Sequence, residues 1–349
     1  MIALRRPAQP VDFQPAPKTA RKVLVIKLGA LGDFIQALSA AKAIRDYHVG
    51  ARITLLTTEP FKAFAEHCPY FDLVEADGRP REAQATAALI ARIRAAKYDM
   101  VYDLQTSGRS SNYYLGLLPR PPLWSGIAQG CAYPHDNPER ETMHTLDRLH
   151  DQLQAAGVGP AGGYPIGMAP LPDLGWVRKS LRDPPRLQPD YFGIRGPFIM
   201  MIPGASPHRP EKRWPEAKYA ELAKRIAARG VTPVVIGATA EKDVGVAVAR
   251  AEPMAKNLVS RTDLFQLAAL AERAAFAVGN DTGPMHIAAA AGARCLVLFS
   301  ADSDPEKVAP RGRGGVATIA ATHLGDLPVE EVDRAIKNCG AYRDAPMRV

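Results

Sequence analysis

The chain has 349 residues, of which 47% are hydrophobic and 23% charged, enough for two domains with separate cores and too apolar for whole-chain disorder. Its 28 Gly and 31 Pro follow no strict period, which excludes a collagen-like chain. Lys and Arg outnumber Asp and Glu by 44 to 36, a net charge of +8, but they are scattered and lack interleaved aromatics, so small or surface-displayed anions are expected as partners and nucleic acid is not.

Residues 1–20 are rich in Pro, Gln and Ala and read as a flexible leader; no continuous apolar stretch follows the early arginines, so a secretory signal is not expected. Lys22–Leu28 is a short apolar run closed by Gly29, the pattern of a buried parallel strand. Phe34, Ile35, Leu38, Ala41 and Ile44 then recur at helical spacing. Strands are predicted at Arg52–Thr58, Leu73–Asp77 and Asp99–Gln105, a helix at Ala83–Lys97, and after polar turns a helix over Thr145–Ala156. A proline-dense stretch, Gly159–Pro197, separates this series from a second one, and its inter-domain linker is placed at 173–197.

The second series opens with a strand at Phe198–Gly204, a helix over Trp214–Gly230 ending at a capping glycine, and a strand at Thr232–Ala238. A helix (AEKDVGVAVARA), a short strand at Asn257–Val259 and a helix at Asp263–Ala275 follow. The strand FAVGN, the helix GPMHIAAAAG and the strand RCLVLFS complete it; Cys295 in that last run reads as a buried small hydrophobe. The final helix, within 326–349, is expected to pack back on the first domain. Strand–helix alternation of this kind gives parallel sheets with right-handed crossovers, whose ligands sit at the carboxyl ends of the strands. The fold class is therefore α/β: two Rossmann-like doubly wound domains, 21–172 and 198–325, with a cleft between them. No apolar run reaches about 18 residues, so no membrane-spanning helix is expected. The four Cys are far apart and form no C-x-x-C pair, which suits a reducing cytoplasm and speaks against zinc or redox motifs.

Three strand ends carry chemistry. The first reads Lys27-Leu28-Gly29-Ala30-Leu31-Gly32-Asp33, which is neither a dinucleotide fingerprint nor a P-loop. Asp33 falls at the helix start, where a carboxylate serves either as a first-turn cap or as a general base. The second opens with Pro203-Gly204-Ala205-Ser206 and continues through Lys212 to Trp214-Pro215-Glu216; glycine, a hydroxyl and a cation suit a phosphate, whereas Arg209 and Arg213 read as solvated surface charge. The third is Gly279-Asn280-Asp281-Thr282-Gly283-Pro284-Met285-His286, a strand end followed by a helix with Pro in its first turn, which Asp281 or Thr282 can cap. Such a helix start offers free N–H groups to a diphosphate, with His286 one turn in.

These blocks, G-x-x-G-D, P-G-A-S with K-R-W-P-E, and G-N-D-T-G-P-M-H, together resemble glycosyltransferase family 9, which holds the ADP-heptose:lipopolysaccharide heptosyltransferases. The resemblance runs from about Lys22 to Gly312. It implies a GT-B fold and inverting transfer that needs neither metal nor cofactor, with Asp33 as the catalytic base. It assigns donor binding to Ser206, Lys212, Glu241, Asp281, Thr282, Gly283 and His286. Lys27 and Arg109 are taken as contacts to an anionic acceptor, against a reading of solvated surface charge. The expected partners are a nucleotide sugar, ADP-heptose first, and an anionic glycolipid. The expected location is the cytoplasm, with peripheral contact at the inner membrane surface. The chain departs from the family pattern at Leu38–Ala41, at Trp124-Ser125-Gly126 and at Ser300–Pro305, which touches acceptor and donor-sugar choice. The alternatives are a transferase of the same fold using another nucleotide sugar for O-antigen, capsule or protein, a GT-B sugar-nucleotide epimerase, and a nucleotide-binding module in which Asp33 is only a cap.

Overall fold

The structure, a computed structural model, describes residues 14–205 and 210–342 and divides into two compact units, Met1–Pro170 and Leu171–Val349. The first runs β1 (Lys22–Ile26), α1 (Leu31–Tyr47), β2 (Arg52–Leu56), α2 (Glu59–Glu66), β3 (Leu73–Glu75), α3 (Ala83–Ala96), β4 (Met100–Asp103), α4 (Gly108–Gly116), β5 (Leu123–Gly126), β6 (Tyr133–Pro134) and α5 (Thr145–Ala155). Its sheet has the order β3-β2-β1-β4-β5-β6 with every pairing parallel. Val23–Ile26 are buried because α/β crossovers cover both faces of the sheet. The helical-period residues Phe34, Ile35, Leu38, Ala41 and Ile44 are all buried along α1.

Two expectations change here. The stretch read as polar turns between Gln105 and Thr145 contains α4, β5 and β6. GRSSNYYLG has poor intrinsic helicity, but Tyr113, Tyr114 and Leu117 bury themselves in the core with Trp124 of β5, and tertiary packing overrides propensity. The leader is also shorter than expected. The Ala16 amide donates to the Ala156 carbonyl at 2.8 Å, the Tyr47 hydroxyl donates to the Ala16 carbonyl, and Ala16 and Ala20 are buried, so the chain is anchored before β1 begins. Residues 1–13 lie outside the described residues.

The second unit runs α6 (Trp176–Leu181), β7 (Phe198–Ile202), α7 (Glu216–Ala228), β8 (Thr232–Val235), α8 (Lys242–Ala251), β9 (Lys256–Asn257), α9 (Leu264–Arg273), β10 (Phe276–Asn280), α10 (Gly283–Ala290), β11 (Cys295–Ser300), α11 (Pro305–Val308), β12 (Val316–Ala321) and α12 (Val329–Asn338). Its parallel sheet has the order β12-β11-β10-β7-β8-β9. The stretch expected as a linker is built into this unit: α6 packs on α9, and Arg273 and Arg178 bind Asp183 and Glu272 at 2.9 and 2.8 Å. The last helix is a correction. Val329, Val332 and Ile336 belong to the second unit's own core with Tyr219, Leu222 and Ile226 of α7, so the amphipathic face of α12 is spent there and not on the first domain.

In each sheet the order in which strands are added reverses once. In the first, β1 lies between β2 and β4, so the loops after β1 and β4 diverge; in the second, β7 lies between β8 and β10, so the loops after β7 and β10 diverge. Those points are where an open parallel sheet exposes a crevice at its carboxyl edge. Close approach at the second is built in: a Cβ on Gly279 would collide with the Ile202 carbonyl of the adjoining strand.

Candidate active site

At the first switch point, Lys27 and Asp33 follow β1, and Asp103 ends β4 in register with Ile26. Asp33 is half-buried at the third position of α1, and its carboxylate accepts the Ala30 amide at 3.3 Å. That one long bond leaves most of the carboxylate's acceptor capacity for something else. Lys27 is buried, so the reading of a solvated surface charge is wrong for it. Its ammonium donates to the Leu104 carbonyl at 3.1 Å. Burial pulls the Lys27 pKa below the lysine value; the charges of Asp33 and Asp103 push it back, and those of Arg148 and Arg79 lower it further.

The turn after β4 is held by Asp103, whose Oδ1 accepts the Gln105 and Thr106 amides at 3.1 and 3.0 Å. Gln105 reaches back to accept the Leu28 amide at 2.9 Å, so the loops after β1 and β4 are tied together. Thr106 sits at φ +43° and takes a hydrogen bond from Arg140 at 2.8 Å. Arg148, on the first turn of α5, is half-buried; burial lowers its pKa, and Asp33 is among the charges that act on it. Arg109 is exposed near the start of α4 and donates to the Pro80 carbonyl at 2.8 Å. Lys27, Asp33 and Arg148 are thus gathered around one strand edge, and Arg109, exposed on α4, is not among the charges that act on Lys27 or Arg148.

At the second switch point Lys212, closing a 3-10 turn, reaches Asp281 at 2.6 Å. Both side chains are about nine-tenths buried. Ser303, after β11, donates to the same Asp281 oxygen at 2.7 Å and accepts from Lys212. Asn280 behind them is fully buried; it donates to the Pro203 carbonyl and accepts from the Trp214 amide and the Tyr219 hydroxyl, locking the ends of β7 and β10 to α7. Thr282 occupies the N-cap position of α10 in an extended conformation, but its side chain makes no bond to the helix amides. The predicted cap is therefore absent, and Pro284 stands in the first turn as expected. At the start of α10, Pro284 has no N–H and the Met285 amide donates to the Thr282 carbonyl at 3.0 Å, which leaves the Gly283 amide, two residues beyond Asp281, beside the Lys212 cation at the positive end of the helix. His286 is buried in the same helix. Glu241, after β8, is buried with its carboxylate accepting the Ala238 amide at 2.8 Å. A Cβ on Gly237 would overlap its side chain and one on Gly204 would touch its carboxyl carbon, so Glu241 lies across the ends of β7 and β8. Ser206, the remaining predicted donor contact, lies outside the described residues.

Sequence reading missed Thr106 and Arg140; it placed Asp103 and Gln105 at a strand end on the acceptor side and Ser303 in a segment that departs from the family pattern, but gave none of the three a role. A hydroxyl at the end of a strand adjoining β10 was the available signal for Ser303, and an acidic residue closing the buried run MVYD was the signal for Asp103. The chain also carries one Asp-x-Asp spacing, Asp302-Ser303-Asp304. Asp302 accepts from the Ser300 hydroxyl at 3.0 Å, and Asp304 caps α11 by accepting the Glu306 amide. No group of three metal-ligating side chains is found among the described residues.

Two doubly wound units, each with polar groups at the switch point of a parallel sheet, make this a GT-B glycosyltransferase fold. Solved structures agree at low identity: a family 9 glycosyl transferase from Veillonella parvula (19% identical, TM-score 0.73, covering 93% of this chain and 98% of that one) and Escherichia coli ADP-heptose heptosyltransferase II (21%, 0.71, 91% and 98%). The family profile described as glycosyltransferase family 9 (heptosyltransferase) matches residues 86–328, so the chain belongs to that family and is a glycosyltransferase. Among characterised relatives, the lipopolysaccharide core heptosyltransferase OpsX of Haemophilus influenzae is 21% identical over 304 residues, 85% of this chain and 83% of that one.

Proposed function

We propose that the protein transfers a heptose from ADP-heptose to an anionic lipopolysaccharide core acceptor, with inversion and without a metal. The observation that carries the reading is the Lys212–Asp281–Ser303 cluster at the uncapped start of α10, within a chain of this family. The relatives named above supply the sugar and the acceptor class. Inverting transfer needs a base for the acceptor hydroxyl and stabilisation of the departing diphosphate. The first unit offers Asp33 as base, with Lys27 and Arg109 for the acceptor's anionic groups. The second offers Lys212 and the Gly283 amide at the start of α10 for the diphosphate, with Glu241 toward the ribose and Asp281, Thr282, His286 and Ser206 completing the donor site. Lys212 and the helix start do the electrostatic work that a divalent ion does in other transferases. A net charge of +8 favours peripheral contact with the anionic cytoplasmic leaflet that displays the acceptor.

The test is ADP release from a panel of ADP-, GDP-, UDP- and dTDP-sugars with lipid A–Kdo acceptor, in the presence of EDTA. ADP-heptose should be the donor used and turnover should survive chelation. Asp33→Asn should lower kcat by about 10²–10⁴-fold while leaving donor affinity intact. Near-normal turnover by that variant would falsify the base assignment, and donor conversion without acceptor would assign an epimerase instead.

A further inference from the structure

The buried charge that the proposed chemistry leaves unused is Asp103. It is 0% exposed at the end of β4; one carboxylate oxygen takes the two turn amides, and Oδ2 has no hydrogen-bond partner. Gly126 keeps the space beside that oxygen open: a Cβ there would lie 3.1 Å from the Asp103 Cβ and 3.4 Å from Oδ2. Lys27, across the β1–β4 pairing, is a buried ammonium whose observed direct contact is a neutral carbonyl, Leu104. A buried cation so placed holds its proton only if charges around it compensate for lost hydration. Facing Lys27 are Asp33 from α1, Asp103 from β4, and two opposing cations, Arg148 from α5 and Arg79 from the β3–α3 connection. Facing Asp103 are Lys27, the Ser110 hydroxyl of α4 and the Cys131 thiol; the Gln152 amide of α5 binds its backbone carbonyl at 3.0 Å.

We propose that Asp103 is a positioning residue of the acceptor site: its carboxylate anchors the turn after β4 and is, behind Asp33, a second counter-charge that keeps Lys27 an ammonium at the acceptor site. Asp33 alone cannot fill that role through a catalytic cycle, because a general base is neutral once it has taken the acceptor's proton. Asp103 is shielded from substrate and keeps its charge through that step. Its own carboxyl is pushed up to about 6 by burial, against the hydrogen bonds that lower it, so it is ionised at neutral and alkaline pH, where a buried lysine needs the support. The inference rests on the reading of the first unit as acceptor-binding.

The variant is Asp103→Asn, which keeps an oxygen for the Gln105 and Thr106 amides and removes the charge. The Lys27 pKa, followed by the ¹³Cε signal of labelled lysine and assigned with Lys27→Arg, should fall by about one unit or more in the variant. The alkaline limb of kcat/KM for acceptor should move to lower pH by the same amount, a loss of about tenfold on that side, while KM for donor stays unchanged. A lysine titration unmoved by Asp103→Asn overturns the proposal, as does a uniform fall in kcat/KM with the limb in place, the mark of a merely structural role. If the variant does not fold, the wild-type signal decides: the proposal requires an inflection near pH 6 in the Lys27 shift as Asp103 titrates, and its absence overturns it. The titration needs no acceptor, so failure of heptose transfer and failure of this coupling are read separately.

Discussion

A lysine beside a carboxylate is often only an ion pair, and Lys212 shows why burial changes that. With both side chains about nine-tenths buried, the Lys212–Asp281 pair has lost much of its hydration, and an exposed pair of the same geometry would contribute little. Asp281 holds the Lys212 ammonium in one place, and Ser303 holds the Asp281 oxygen against it. On the proposed function, a diphosphate then meets a cation that is already oriented. Lys212→Ala should weaken ADP binding by about ten- to hundredfold, since hydrogen bonds to charged groups are worth about 1.5–3 kcal/mol. Calorimetry with ADP checks this, and unchanged affinity would remove Lys212 from the donor site.

Among the elements, α12 is the most instructive. Its sequence, VEEVDRAIKN, is strongly amphipathic, so a helix with one buried face is legible, but nothing local says which surface takes that face. The structure gives it to α7, reinforced by Arg229 binding both Asp333 oxygens at 2.6 and 2.7 Å. Ile336→Ala should cost roughly 2–4 kcal/mol through lost burial and the cavity left behind. Hydrogen exchange locates the loss: amide protection should drop in β7 and β10 of the second unit and stay unchanged in β1 and β4. A drop confined to β1 and β4 would mean the helix stabilises the first unit after all. The same dependence on packing explains α4, whose weak local signal is completed only by Trp124 and its neighbours.

Taken over the whole molecule, buried ionisable groups set an acid limit on stability that can be read in the first unit. His48, bound to the Tyr102 hydroxyl, and His150, bound to the Ser39 hydroxyl, are buried and pulled down to about 4 by that burial. Asp103 moves the opposite way, up to about 6. Between these values the unfolded chain holds two more protons on the histidines and one fewer on Asp103, a net of one. Stability therefore falls by roughly 1.4 kcal/mol per unit of acidification across pH ~4–6. Thermal unfolding over this range should show that slope, flattened by His48→Gln and steepened by Asp103→Asn. A melting temperature independent of pH there would contradict the buried neutral state of the histidines.

By itself the amino-acid sequence determined the α/β alternation, the buried strands and the polar residues at their ends. Apolar runs, helical period, glycine at close approaches and proline in a first turn are local codes, and Asp33, Lys212 and Asp281 could be named from them. Tertiary structure alone decided that Lys27 is buried, that Ser303 joins Lys212, that Asp103 is buried at the β4 end beside Lys27, and that α12 belongs to the second unit. The reason is that sheet order and packing choose which distant residues share one dry space, and a charge's behaviour depends on what shares it.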